Sequence, residues 1–241
     1  LEPSGDADKL IHLCHQEDTS CPIFDKYAQL QREMTRLEEQ VRQDHLTGLY
    51  NHRFMKFILE QEMERTIRTQ LPTCFILLDI DHFKTFNDQY GHVMGDKVLI
   101  HIASILQRNV RKIDFACRYG GEEFAVILPT TPLLIGIQVA ERIRQTIEHH
   151  PLEIEGESLA ITASLGVDSF THLSPLQNAD LNDSVAMDSF IARADEFLYK
   201  AKSSGRNRVE HAILRSEDKA SVSDAEKAAL YQNAQSEQES P

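Results

Sequence analysis

The sequence predicts an α+β fold: an α/β sandwich in which a central mixed sheet, including one β-hairpin, is covered by helices and preceded by an N-terminal helix. Three observations predict it. Short apolar runs of strand length alternate with longer segments of helical period, in the order βααββαβα after a leading helix. Two of the strand-like runs are separated only by Gly120-Gly121, a two-residue hairpin signal. The chain of 241 residues, 41% hydrophobic and 26% charged, has the composition of a soluble globular protein with room for one sizeable core.

Residues 1–26 are polar and weakly patterned. Within them His12, Cys14, His15 and Cys21 have a mixed spacing that matches no standard zinc-finger pattern, so packing competes with metal binding as their role. Residues 27–44 carry Leu30, Met34, Leu37 and Val41 in one helical stripe. About two heptads suit either a coiled-coil seam or a plain amphipathic helix. The alternating pattern then fills 45–210. "HRFMKFILEQEMERTIRTQ" reads as a helix stopped by Pro72, and "CFILLDI" as a buried strand. "KTFNDQYG" is a helical turn ending at Gly91, and "DKVLIHIASILQRNVRK" the next helix. "FACRY" and "EFAVILP" form the hairpin, "PLLIGIQVAERIRQTIEHH" a helix, "LAITASLGVDSF" a strand, and "SFIARADEFLYKAKSSG" a last helix capped at Gly205. Residues 211–241 read as a polar, acidic, disordered tail.

A formal net charge of -13 excludes the basic surface of a general nucleic-acid binder, so any phosphates need a local site, with metal. No apolar run approaches the roughly 20 residues that span a bilayer. The opening "LEPSGDADKL" has neither a basic nor an apolar leader region, so the expected location is cytoplasmic, without a membrane partner. An opening Leu1 in place of Met raises the expectation of a further segment upstream. Four cysteines form no dense disulfide framework, and Cys74 and Cys117 read as buried free thiols.

The chemistry concentrates in carboxylates at strand ends. Asp79 ends the apolar run "CFILLDI", where open sheets place ligand sites. A carboxylate there is costly without a cation or donors. Asp81, two residues on, reads as a cap on the following helix. Glu122 and Glu123 stand at the hairpin tip, either as solvated turn residues or as partners of Asp79 across the sheet. With the backbone carbonyl of Ile80 they make a hard oxygen site suited to Mg²⁺ or Mn²⁺. Lys202 and Arg206, spaced i, i+4 at the end of the last helix, share one face, and Lys84 follows Asp79 closely. These cations suit salt bridges or a triphosphate. Asn87 and Asp96 flank "NDQYGHVMGD"; Asp96 caps the next helix or joins the amide in reading a guanine.

Five blocks, "DHLTGLYN", "LLDIDHFKTFNDQYGHVMGD", "CRYGGEEF", "TASLGV" and "ADEFLYKAKSSGRNRV", resemble in order and spacing the GGDEF-domain diguanylate cyclases. The resemblance covers about residues 44–209. It implies a fold similar to the palm of nucleotide cyclases and polymerases, behind an N-terminal signalling helix. It also implies condensation of two GTP into cyclic di-GMP with loss of two pyrophosphates, in a homodimer of facing domains. Asp79, Glu122 and the carbonyl of Ile80 then match the ligands of two Mg²⁺ or Mn²⁺ ions, with Glu123 supporting the metal site or acting as base. Lys84, Lys202 and Arg206 match phosphate contacts, and Asn87 and Asp96 guanine contacts. His92 lies in the substrate block without an assigned role, while Gly120 and Gly121 leave room for nucleotide.

Arg111 and Asp114, in "RKID", form a pattern that is commonly a local salt bridge. In this family, at this distance before the glycines, it resembles the inhibitory site for the product, with Arg142 as a further arginine and Arg65 matching a contribution from the partner domain. Glu122 stands where the signature has aspartate, and His52 where arginine is frequent. A competing reading is a silent module that binds GTP or cyclic di-GMP as a receptor.

Overall fold

The computed structural model describes residues 27–31, 42–154, 157–172 and 184–214. The chain divides into two compact units, Leu1–Arg42 and Gln43–Pro241. In the first, residues 27–31 are helical, as the sequence predicts. Met34, Leu37 and Val41 of the predicted stripe, and the His12, Cys14, His15 and Cys21 group, lie outside the described residues.

The second unit is built on a five-stranded sheet of order β2-β3-β1-β6-β7. Its strands are β1 (Thr73–Ile80), β2 (Phe115–Gly120), β3 (Glu123–Leu128), β6 (Ala163–Phe170) and β7 (Val209–His211). β1 is central and antiparallel to both β3 and β6, and β7 joins β6 in parallel, so the sheet is mixed as expected. Every residue of β1 is buried, which explains why its sequence is a nearly continuous apolar run. β4 (Leu152–Ile154) and β5 (Glu157–Leu159) pair separately.

Alternation along β1 sends its side chains to two cores. Cys74, Ile76, Leu78 and Ile80 meet α2 (Phe83–Tyr90), α3 (His92–Asn109) and α4 (Leu133–His149). Phe75 and Leu77 meet α1 (His52–Thr69) and α5 (Ser184–Ser203) on the other face. Each such side chain, fully buried, contributes about 1.5–3 kcal/mol. Asp79 follows Phe75 and Leu77 in the alternation and therefore belongs to the α5 side. α5 lies very close to β6 there: a Cβ on Gly166 would stand 2.2 Å from the carbonyl oxygen of Ala194 and 2.3 Å from the amide nitrogen of Leu198. Only a residue without a side chain admits that approach.

Several local expectations shift. α3 starts at His92, four residues before Asp96, with Gly91 as its N-cap at φ 82, so Asp96 caps nothing. The hairpin turn is Gly121-Glu122 rather than Gly120-Gly121, because Gly120 already pairs with Glu123 and Gly121 carries the left-handed φ of 52. The predicted long strand 159–170 is shorter, with β6 starting at Ala163. α5 ends at Ser203, so Arg206 lies beyond the helix and does not share a helical face with Lys202. Gly205 does cap it, at φ 116, with the Arg206 amide donating to the Ala201 carbonyl at 3.0 Å as in a Schellman motif. Residues 211–214 are not tail: His211 is in β7, and Ala212 and Leu214 pack on the core. Cys74 and Cys117 are buried free thiols, both pushed up by desolvation.

Candidate functional site

At the end of β1, strand pairing sets Asp79 opposite Glu123 on one side and Ser164 on the other. Glu122 is the turn residue before Glu123, and its carbonyl accepts from the Ile80 amide at 3.4 Å. The sequence left open which glutamate faces Asp79; the register assigns the direct position to Glu123. Asp79 is 8% exposed and receives the Lys202 ammonium on Oδ2 at 2.8 Å. Burial still pushes its carboxyl above the ordinary range, against the pull of Lys202 and with the repulsion of Glu122 and Asp81. Glu123 is raised as well, by burial first and by Asp79 next. One ammonium therefore serves a corner with surplus negative charge.

Asp81 is not the predicted helix cap. His82 takes that position at φ 57 and makes no side-chain cap bond. The Asp81 carboxylate instead accepts from Ser164 Oγ at 2.6 Å, Thr162 Oγ1 at 2.8 Å and the Asn207 amide at 3.0 Å. It ties the end of β1 to the approach to β6 and to the turn after α5. Arg118 holds the hairpin in a comparable way. Its Nε and Nη2 donate to the Gly121 carbonyl at 3.1 and 2.9 Å, and its Nη1 to Asp44 Oδ1 at 3.1 Å. The Asp44 carboxyl is held below its usual range: burial raises it, but bonds from Thr47 and Arg118 outweigh that. Sequence reading singled out neither Arg118, Asp44 nor Asn207. The signal was present only as membership of the quoted blocks.

Gly120 and Gly121 face open space, since a Cβ on either would meet nothing within 4 Å. Lys84, on the first turn of α2, is exposed, as are His92 and Asp96 on the first turns of α3. Asn87 is half-buried, and among the described residues its Oδ1 is a buried acceptor without a hydrogen bond. It points at Gly95, where a Cβ would stand 1.9 Å from it. Arg206 is exposed at φ 61.

The Arg111–Asp114 pair is closed on itself. Asp114 accepts the Arg111 backbone amide at 2.8 Å and the guanidinium Nη2 at 2.8 Å, and Nη2 continues to Thr131 Oγ1 at 2.7 Å. Arg65 reaches the neighbouring Thr130 Oγ1 at 2.9 Å, so within one chain both arginines grip the loop after β3. Arg142 donates to the Asn109 carbonyl at 2.8 Å, closing the end of α3. Among the described residues no three His, Cys, Asp or Glu side chains are grouped to enclose a metal ion. Nor is any described helix long and apolar enough to cross a membrane.

Residues 41–208 match the family profile described as "Diguanylate cyclase, GGDEF domain". The chain is similar to diguanylate cyclase DgcP of Pseudomonas aeruginosa, with 38% identity over 209 residues. That alignment takes 87% of this chain and 29% of DgcP, so the chain spans less than a third of this curated relative. The coiled coil and GGDEF domain of DgcB from Caulobacter crescentus, in complex with c-di-GMP, superposes with a TM-score of 0.69 at 30% identity. The match covers 78% of this chain and 95% of DgcB's. A structure described as the active GGEEF domain of a diguanylate cyclase from Vibrio cholerae superposes with a TM-score of 0.60 at 34% identity, over 69% of this chain and 99% of that one. The mixed sheet, its carboxylate corner and these likenesses together place the chain in the GGDEF-domain diguanylate cyclase family.

Proposed function

We propose that residues 45–210 act as a diguanylate cyclase, joining two GTP into cyclic di-GMP and releasing two pyrophosphates. The observation that carries this reading is the corner where Asp79, paired with the Lys202 ammonium, lies against the negative charge of Glu122 and Glu123. A divalent cation fits it: the donors are hard oxygens, and the raised pKa values of Asp79 and Glu123 mark charge still to be neutralised. Asp79, Glu122 and the Ile80 carbonyl are the residues that would hold two Mg²⁺ or Mn²⁺ ions. Bound there, such ions supply the positive charge that polarises the α-phosphate and neutralises the leaving pyrophosphate. Glu123, with its raised proton affinity, suits acceptance of the 3′-hydroxyl proton.

The other residues bind and orient. Lys84, Lys202 and Arg206 take phosphate oxygens, with Lys202 exchanging Asp79 for the triphosphate. The unbonded Asn87 Oδ1 is matched by an N–H on a guanine edge, and Asp96, freed from a capping role, by the neighbouring donors. Gly120 needs no special φ and meets no neighbour, so its bareness serves nucleotide lying over the hairpin. The glutamate in the signature is compatible with turnover, since the Vibrio cholerae domain described as active is also GGEEF. Each domain holds one GTP, so the working form is a homodimer with residues 27–44 controlling the pairing. Arg111, Asp114 and Arg142, with Arg65, form the site through which product inhibits. The receptor-only reading leaves the retained Asp79, Glu122, Glu123 and Lys202 without a task.

The test is turnover of the purified chain with GTP and Mg²⁺, with cyclic di-GMP and pyrophosphate measured in the ratio 1:2. Glu122→Gln is expected to abolish both products while leaving the melting temperature close to wild type. No product at micromolar protein, with dimers demonstrated by sedimentation, overturns the reading.

A further inference from the structure

We propose that Asn207 is the positioning residue of the phosphate arm, holding Arg206 beside the end of β1 by bonds to Asp81 on one side and to the Arg144–Glu148 pair of α4 on the other. The inference rests on Arg206 contacting phosphate. Arg206 and Asn207 have φ 61 and 46, two successive non-glycine residues in the left-handed region. Crowding of Cβ against the carbonyl disfavours that region, asparagine tolerates it, and arginine has no such affinity for it. The conformation persists only where neighbours hold it.

Those neighbours are identifiable. The Arg206 amide donates to the Ala201 carbonyl at 3.0 Å, and the Asn207 amide to Asp81 Oδ2 at 3.0 Å, so the backbone is fastened on both sides of the Arg206 Cα. The Asn207 side chain is used at both ends. Its Nδ2 donates to Glu148 Oε1 at 2.7 Å, and its Oδ1 accepts from Arg144 Nη1 at 2.8 Å. Arg144 is itself fixed, donating through Nε to both Glu141 oxygens at 3.0 Å and through Nη1 to Glu148 Oε2 at 2.7 Å. The Arg206 guanidinium, by contrast, is exposed and makes no hydrogen bond or ion pair among the described residues. A fastened backbone under an unengaged guanidinium is the arrangement of a ligand arm, since a structural arginine would spend its donors on the chain. Because Asp81 lies two residues beyond Asp79, the same bond sets the spacing between the phosphate arm and the carboxylate corner.

The experiment is a double-mutant cycle between Asn207→Gly and Arg206→Ala, read as KM for GTP, kcat, and equilibrium affinity for a non-hydrolysable GTP analogue with Mg²⁺. Glycine keeps the left-handed backbone and its N–H bond to Asp81 available and removes only the side-chain carboxamide that bonds Arg144 and Glu148. Asn207→Gly is expected to raise KM and weaken the analogue about tenfold, worth roughly 1.4 kcal/mol, with kcat changed far less. In the Arg206→Ala background the same substitution is expected to add nothing. Asn207→Asp sets two carboxylates against each other and is expected to fail likewise. Adding Glu148→Gln restores a donor and is expected to rescue it, which a general loss of packing would not do. Glu148→Ala reads the same bond from the α4 side should Asn207→Gly fold poorly, and is expected to raise KM about threefold, a smaller loss because Arg144 still holds the Asn207 Oδ1. A wild-type KM and analogue affinity in Asn207→Gly, or an equal loss with and without Arg206, overturns the proposal. If the wild type binds the analogue but makes no cyclic di-GMP, the cyclase reading falls and the binding cycle alone decides this one. If it binds no analogue, both fall.

Discussion

The corner around Asp79 and the turn around Asp114 each place a buried carboxylate against a cation, and they differ in how far the charge is satisfied. Asp79 and Asp114 are both 8% exposed. Asp114 takes a backbone amide and a guanidinium whose Nη2 also reaches Thr131 and Pro129, so the donors on this carboxylate come from the chain. Asp79 has one ammonium and three carboxylate neighbours, and its carboxyl is pushed up. Asp81, two residues away and again 8% exposed, resembles Asp114, with three donors of its own. All three residues are buried, the Asp79 side chain at 12% exposure less deeply than that of Asp114 at 2%, so burial alone does not mark the candidate metal ligand, and what separates it from the two fasteners is the deficit of donors.

That difference gives opposite signs for charge removal. Asp114→Ala strips the Arg111 backbone amide and guanidinium of their partner, and the side chain of Asp114 is only 2% exposed. Because the Arg111 side chain is 54% exposed and can turn to water, the expected loss is about 2 kcal/mol rather than the full cost of a broken buried pair. For a domain of this size that is a fall of about 4–8 °C in melting temperature. Catalysis in the absence of accumulated product is expected to continue. Arg111→Ala, which leaves Asp114 its backbone donor, is expected to lose less stability. It is also expected to raise the final yield of cyclic di-GMP, measured with and without enzymatic removal of product. An unchanged inhibition curve and unchanged product binding would sink the assignment of Arg111 to the inhibitory site.

The same contrast explains what the sequence made legible. β1 could be read because its burial on both faces leaves an unbroken apolar run, and the hairpin because two strand-like runs nearly abut. Asp79, Glu122 and Glu123 could be singled out because an acidic residue next to buried surface is already anomalous in one dimension, whereas Lys202 entered through a helical spacing with Arg206 that the end of α5 at Ser203 does not support. Asp81 reads as a cap in the sequence because its partners lie 81, 83 and 126 positions away, where local spacing carries no signal. Arg118 and Asp44 are 74 apart, so local spacing does not reveal their pairing either. The early start of α3 depends on the unusual φ of Gly91, and the hairpin slipped by one residue because either glycine could have taken the positive φ. β4, β5 and β7 have three residues each, too few for a period to show.

The smaller effect, and the sharper test of the comparison, is Asp79→Asn. A carboxyl whose folded pKa lies above its unfolded value favours the folded state fully only while protonated, below the unfolded pKa. That contribution is lost as pH rises through the folded pKa. The shift of Asp79 is upward with Lys202 already included, so its ionised form is a net cost at neutral pH. The asparagine side chain carries no charge to desolvate, and Lys202, 32% exposed, can turn to water. The variant is therefore expected to melt at or slightly above the wild-type temperature at pH 7 without divalent metal, by on the order of 1 kcal/mol. Its stability should also fall less between the ordinary carboxylate range and neutrality. Added Mn²⁺ or Mg²⁺ reverses the order, since a ligand at 100 times its dissociation constant stabilises by about 2.7 kcal/mol and only the wild type keeps Asp79 to bind it. Calorimetric melting of both proteins at two pH values, with chelator and with metal, reads all four corners. A variant that melts well below wild type in chelator would mean that the Asp79–Lys202 pair is a fastener like Arg111–Asp114, and that the end of β1 holds no surplus charge for a metal to neutralise.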